Sequence, residues 1–363
     1  MITVHHPRAQ PAVVQHAAAQ PHWQQLWRDA VCDPRELLAL LDLDAHALRR
    51  SDTGVSDAAL AQFPLRVPRG FIARMRRGDP HDPLLRQVLP IDAELRAQPG
   101  FDMDAVGDLA ARGATGVLHK YEGRALLIAT GSCAIHCRYC FRRHFDYSAD
   151  TAATDHWRTA LEYLRADDSI NEVLLSGGDP LSLSTPKLAE FTDALRGIAH
   201  VRRLRIHTRL PVVLPERVDA ELLGWLRGLQ QRVVIVIHAN HANELDASVG
   251  IALHDLHAVG ATLLNQSVLL RGVNDSIAAQ VALAESLFDC GVLPYYLHQL
   301  DRVAGTAHFE VDDTRALALH REMAARLPGY LLPRLVREIA GEPNKIALGP
   351  ASGAIVNLAK VHE

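Results

Sequence analysis

Cys133-Ala-Ile-His-Cys137-Arg-Tyr-Cys140 sets three cysteines in a C-x3-C-x2-C array, directly after the apolar run Ala125-Leu-Leu-Ile-Ala129. The run reads as a buried strand and the array as the loop that leaves it. Three thiolates on one loop can hold three irons of a four-iron cluster, and the fourth iron is then open to a small molecule. Such clusters normally take four cysteines, so the missing ligand is informative. The alternative is structural zinc, which needs four ligands that His136 or His144 would complete. Zinc ligands usually come as two separated pairs, and the sequence has no second pair.

Working outward, short apolar runs alternate with longer amphipathic ones. The runs are Ala125 to Ala129, Glu172 to Leu175, Leu204 to His207, Val233 to Ile237, Thr262 to Val268 and Leu293 to Leu297. Helical spacing lies between them, over Asp155 to Arg165, Thr185 to Ile198, Asp219 to Leu229, Ala252 to Val259 and Ile277 to Phe288. This alternation implies parallel strands with helices outside. Six units predict an α/β fold, a partial parallel (β/α)6 TIM-like barrel rather than an open sheet. The cysteine loop follows the first strand and so falls on the functional, C-terminal face.

Upstream, Trp23 to Val31 and Pro34 to Leu41 have helical spacing, with Asp33-Pro34 as a cap. Asp44 to Leu48 and Ser56 to Gln62 continue it. Phe63 to Leu89, rich in Pro and Arg, reads as a connector. The predicted organisation is a mobile tail (1–22), a helical extension and connector (23–118), the barrel (119–300) and a short C-terminal segment (301–363) that completes the site.

Composition sets bounds. The chain has 363 residues, 48% hydrophobic and 22% charged, with a net charge of -4. That charge offers no overall attraction for nucleic acid or anionic lipid. No apolar run approaches the roughly 20 residues a membrane span needs, and the first residues lack a signal-peptide core. Cys32 and Cys290 read as buried small hydrophobes. Clustered thiols in a long chain with few cysteines point to a reducing, cytoplasmic setting.

Gly177-Gly178-Asp179 closes the second run. Glycines there let backbone approach a ligand, and the carboxylate suits an ammonium. With the cysteine loop, Phe141-Arg-Arg143 and Val173-Leu-Leu-Ser-Gly-Gly-Asp179 resemble radical S-adenosylmethionine (SAM) enzymes. Arg209-Leu-Pro-Val-Val-Leu-Pro-Glu-Arg217, Asn265-Gln-Ser-Val-Leu-Leu-Arg-Gly-Val-Asn-Asp275 and Pro294-Tyr-Tyr-Leu-His-Gln-Leu-Asp301 narrow this to the lysine 2,3-aminomutase family. The likeness runs from about His119 to Lys345. Cys140-Phe-Arg-Arg-His-Phe145, the helical front end and the short tail resemble the branch that supplies (R)-β-lysine for elongation factor P.

The resemblance implies a radical SAM, pyridoxal phosphate (PLP)-dependent isomerase that converts L-lysine to β-lysine. It implies a [4Fe-4S] cluster on Cys133, Cys137 and Cys140, and SAM against Gly177, Gly178, Asp179, Gln266 and His238. By the same resemblance Lys345 would be the catalytic lysine that bonds to PLP, with Arg124 and Tyr121, and Lys120 as a further candidate, near the phosphate. Arg142 would hold the substrate carboxylate, and Asp301 with Glu338 the side-chain ammonium. Arg143 is read as structural. Family aminomutases of free lysine carry glycines before this lysine, further cysteines for zinc and a longer C-terminal region. Here the turn is Gly341-Glu-Pro-Asn344 and no cysteine follows Cys290, so no zinc and a different assembly are expected, with a homo-oligomer left open. Implied partners are a flavodoxin or ferredoxin as electron donor, elongation factor P and its lysine ligase. The competing readings are a 2,3-aminomutase of another amino acid or of protein-bound lysine, and a zinc-stabilised RNA-binding module.

Overall fold

The computed structural model describes residues 22–44, 54–147 and 150–349. The N-terminal tail through residue 21, most of the helical continuation from Asp44 to Leu48, and the end of the C-terminal segment lie outside the described residues.

A single mixed sheet of ten strands, paired in chain order, organises the fold. The strands are β1 (Arg112–Ala114), β2 (Val117–Tyr121), β3 (Arg124–Thr130), β4 (Glu172–Gly177), β5 (Arg203–Thr208), β6 (Arg232–Ile237), β7 (Thr262–Val268), β8 (Leu293–His298), β9 (Arg334–Arg337) and β10 (Ile346–Ala347). The six expected runs are β3 to β8, all parallel, and β9 joins as a seventh parallel strand. Antiparallel β1 and β2 extend one edge, and antiparallel β10 the other.

Helices follow the strands where their spacing predicted. Arg158–Ala166, Thr185–Leu195, Ala220–Arg227, Ala247–Ala258 and Ile277–Asp289 connect β3 through β8. Asp219, Asp246 and Ser276 cap three of them by accepting a backbone N–H three residues on. A helix at Asp313–Ala324, not read from the sequence, leads from β8 toward β9.

Period-2 alternation decides what faces where. In β5, Leu204, Ile206 and Thr208 are buried, while Arg205 and His207 face a central cavity. Leu118, Lys120, Arg124, Leu126, Leu174, Ser176, Gln266, Val268, Tyr296, His298 and Arg334 line the same cavity from six other strands. One cavity lined from β2 through β9 requires the sheet to curl around it. The apolar core lies on the outer face, where Val173, Leu175, Leu204, Ile206, Ile235 and Leu263 meet the helices.

The extension does more than connect. Asp33 caps Pro34–Leu40 as predicted, and short helices at Arg69–Ile72 and Pro83–Arg86 interrupt the connector. Its backbone docks on the cysteine loop: His136 N donates to Arg66 O at 3.0 Å, and Arg138 N to Gln87 O at 2.8 Å. Buried Glu94 receives Arg138 Nε at 2.9 Å and Arg143 Nη2 at 2.7 Å. Arg143 is thus structural, as expected. Cys32 corrects its expectation: it lies exposed beyond the first helix, and Cys290 is half-buried. Among the described residues no helix is long and apolar enough to cross a membrane.

Candidate active site

The cavity has a volume of about 590 Å³. Cys133, Cys137, Cys140, Gly177, Gly178, Asp179, Gln266, His238, Arg124, Tyr121, Arg142, Asp301, Glu338 and Lys345, the residues expected from the motifs and the family resemblance, all line it.

At one end lie the three thiols. Burial pushes the Cys140 thiol up to about 11, with Cys137 adding to the rise. Burial, then Asp179, Cys140 and Cys137, push Cys133 well above its ordinary range. Cys133 and Cys140 are therefore sheltered thiols whose ionisation added positive charge would favour, which suits iron. No three His, Cys, Asp or Glu groups among the described residues converge on a single-ion position. A four-iron cube gives each thiolate its own iron, so its ligands need no such common point.

Gly177 and Gly178 press on the start of this loop. A Cβ at Gly177 would sit 2.6 Å from Thr130 O, and one at Gly178 2.5 Å from Ser132 O, so both positions require glycine. Gly177 also has φ +112°, a conformation that side chains disfavour. Asp179 departs from its expected role. Its oxygens accept from Thr208 Oγ1 (2.6 Å), Arg209 N (2.6 Å), Leu210 N (3.0 Å) and Leu181 N (3.1 Å). A carboxylate has about four acceptor positions, so this one is filled by the fold and pins the end of β5. His238 stacks on Tyr139 and shares a 2.9 Å hydrogen bond with its hydroxyl. Burial holds this imidazole neutral, down to about 3. Gln266 has no side-chain hydrogen-bond partner among the described residues.

At the other end a line of charges runs Lys345, Glu338, Lys120, Asp108, Arg142. Lys345 Nζ pairs with Glu338 Oε2. Glu338 Oε1 lies 2.9 Å from Lys120 Nζ, which is 2.6 Å from Asp108 Oδ1. Asp108 Oδ2 accepts from Arg142 Nε at 2.6 Å, and Arg142 Nη1 donates to Ser176 Oγ at 3.1 Å. Burial would raise Glu338, but the two ammoniums overcome it and hold the carboxyl at about 2. Three expectations change. Lys345, expected only as the lysine that bonds to PLP, has a carboxylate partner. Both Glu338 oxygens are engaged by lysines rather than open. Lys120 belongs to this line rather than to a phosphate site.

Asp301 is the exception. Its carboxylate has no hydrogen bond or ion pair among the described residues, and burial, aided by Glu338, raises it to about 7. Arg124 stacks over Tyr121 at 4.7 Å, and its Nε is buried without a partner. His207 Nε2 and His298 Nε2 are buried and unpartnered too. These orphans, beside a lysine amine, fit a polar aromatic cofactor with an anionic tail. Sequence reasoning did not single out Asp108, Arg205, His207, Arg209 or His298. For Arg205, His207 and His298 the signal was the polar residue at alternate positions of β5 and β8; Arg209 opened the motif over 209–217 without being given a role, and Asp108 gave no signal.

A profile of a 4Fe-4S single cluster domain matches residues 122–207. An L-lysine 2,3-aminomutase of Escherichia coli (strain K12) is 46% identical over 93% of this chain and 97% of its own length. The chain belongs to the L-lysine 2,3-aminomutase family. Family members of the same name from Haemophilus influenzae and Clostridium subterminale are 44% and 34% identical, over 90% and 77% of this chain and 95% and 67% of their own lengths. A solved radical SAM methyltransferase from Sphaerobacter thermophilus aligns at a TM-score of 0.41 and 17% identity, over 61% of this chain and 68% of its own. That likeness is too slight to carry an argument. The family is one of isomerases, and its cofactors are a [4Fe-4S] cluster, SAM and PLP.

Proposed function

We propose that this chain moves the α-amino group of L-lysine to the β-carbon. Asp301 carries the reading: an unpaired carboxylate in the cavity that also holds Lys345 and Arg142 selects a substrate with a cationic side chain. The curled sheet is read as the partial (β/α)6 barrel, flanked by the extension (23–118) and the closing segment (301–363).

When bound, the cluster and SAM supply a carbon radical and PLP carries the migrating nitrogen. Cys133, Cys137 and Cys140 would hold the cluster. With Asp179 filled, the backbone of Gly177 and Gly178 would be left for the amino end of SAM, with Gln266 and His238 for its nucleoside. Lys345 would bind PLP, and the unpartnered Nε of Arg124, beside Tyr121, would serve its phosphate. Arg142 is oriented by Asp108 and Ser176 and keeps Nη2 for the substrate carboxylate. Glu338, paired with Lys345 and Lys120, would be the second carboxylate available to the substrate ammonium. Leu118, Leu126, Val268 and Leu300 keep water out.

The product is read as (R)-β-lysine for the modification of elongation factor P by its ligase, in the cytoplasm, with a flavodoxin- or ferredoxin-type donor. The Cys140-Phe-Arg-Arg-His-Phe145 stretch and the helical front end support this branch. Anaerobically reconstituted protein, incubated with SAM, PLP, dithionite and L-lysine, should give (R)-β-lysine by chiral chromatography. Turnover of another amino acid or of a lysyl peptide, with L-lysine untouched, would overturn the reading.

Asp301 also predicts a pH dependence. Its carboxyl is raised to about 7, so it is neutral below that pH and charged above it. Lysine affinity should therefore rise between about pH 6 and 8. Loss of one partner of a buried charge pair costs about 2–5 kcal/mol. Asp301→Asn should raise the KM for lysine by roughly tenfold or more, flatten its pH profile and leave SAM binding unchanged. An unaltered profile in this variant would remove Asp301 from the lysine pocket.

A further inference from the structure

The three sulfurs of the loop are not equivalent. Among the described residues Cys137 Sγ alone accepts a side-chain N–H, from Arg209 Nη1 at 2.7 Å. Arg209 follows β5 and is 6% exposed. Several partners fix it. Nη2 donates to Glu244 Oε2 at 2.9 Å and to Gln87 Oε1 at 2.8 Å. Its backbone N donates to Asp179. The guanidinium lies 5.5 Å from the Phe71 ring centroid and 5.8 Å from that of Tyr139.

The partners are anchored in turn. Glu244, fully buried, accepts from Gln87 Nε2 at 3.0 Å and from Asn240 N at 2.9 Å. Asn240 Nδ2 donates to Gln87 Oε1 at 3.0 Å. Arg209 Nε is buried without a partner, but Nη1, Nη2 and the backbone N are all held by groups of the chain itself, so the charge beside Cys137 is in place before a cluster arrives.

Hydrogen bonds to the sulfurs, local charge and solvent exposure set the potential of an iron–sulfur cluster. A donor that carries positive charge withdraws electron density from a thiolate and favours the reduced, more negative cluster. A carboxylate nearby opposes it. In a pocket sheltered from solvent both effects are stronger than in water.

We propose that Arg209 sets the reduction potential of the cluster on Cys133, Cys137 and Cys140 through the Cys137 sulfur, and that Glu244 moderates it. The inference rests on the cluster reading above. The step concerned is the gain of one electron, from the 2+ to the 1+ cluster, from an external one-electron donor, with no bond made or broken. Arg209 is a positioning residue that acts through the thiolate.

The test is an EPR-monitored redox titration of anaerobically reconstituted full-length protein, without SAM, PLP or lysine. Iron and sulfide analysis comes first: wild type without four irons would sink the cluster reading itself. With the cluster present, Arg209→Gln should lower the midpoint potential by about 59 mV or more, a tenfold change for one electron. Glu244→Gln keeps its hydrogen-bonding shape, leaves Arg209 unbalanced and should shift the potential upward. Arg209→Lys, which keeps the charge, should recover at least half of the loss. A merely structural role does not predict shifts of opposite sign. If Arg209→Gln loses its cluster, Glu244→Gln decides, and a potential equal to wild type would overturn the proposal.

Discussion

Alanine at any one of Cys133, Cys137 and Cys140 is expected to reduce SAM cleavage to background, with bound iron falling below four per chain. On the proposed assignment each thiolate would hold one iron and leave the fourth to SAM. A lost thiolate would then remove one of three attachments. His238 is hydrogen-bonded to Tyr139, and Asp179 is filled by four internal donors. Asp179 has no spare position to replace a thiolate, and His238 is tied through Nε2 to Tyr139. The measurements are iron and sulfide per chain, the EPR signal after dithionite, and 5′-deoxyadenosine formed. A triple Cys→Ala chain that still cleaves SAM, or wild type that carries only zinc, would end the cluster assignment.

The second large effect is at Lys345. Borohydride reduction of the PLP-loaded protein followed by peptide mapping should find the cofactor on this residue. Lys345→Ala should lose that adduct and about a thousandfold in lysine turnover, roughly 4 kcal/mol of barrier, while SAM cleavage persists. The structure adds a second expectation. Glu338 pairs with Lys345 and Lys120, so Glu338→Gln should alter PLP loading as well as lysine binding. An adduct on Lys120 or any other lysine, or normal turnover by Lys345→Ala, would refute the role of Lys345.

Much of the fold was legible because burial on both faces leaves apolar runs that turn chemistry punctuates. The runs that became β3, β4 and β6 come nearest to this kind, whereas β5 and β7 alternate between the helices and the cavity. The edge strands were not: β9 has four residues, two of them arginine, and β10 has two. β2 was hidden because His119, Lys120 and Tyr121 are half-buried polar residues that break the apolar run. Such strands are set by their neighbours rather than by their own composition.

The site followed the same division. Residues in dense motifs, the cysteines and the two glycines, were visible from spacing. Asp108 was invisible because it lies among other loop aspartates, Asp102 and Asp104, and only the fold turns it toward Arg142. Sequence placed Asp179 correctly but not its bonds, because Arg209 and Leu210, which help fill it, come from a distant segment of the chain. Cys32 was misread because hydrophobicity predicts the average cysteine, whereas this one lies exposed after a short helix.

The contacts that brace the cysteine loop come from both directions along the chain. Glu94 precedes the cysteines, but Arg143 also donates to Gly305 O and His144 bonds Ala304 O. Lys345 comes later still. During synthesis the cysteines are therefore made long before the backbone that closes over them, while Glu94 and the connector are already available. The loop that carries the three cysteines is therefore complete in sequence well before the residues that finish its support, and Lys345 is the last of the cavity's residues to be made.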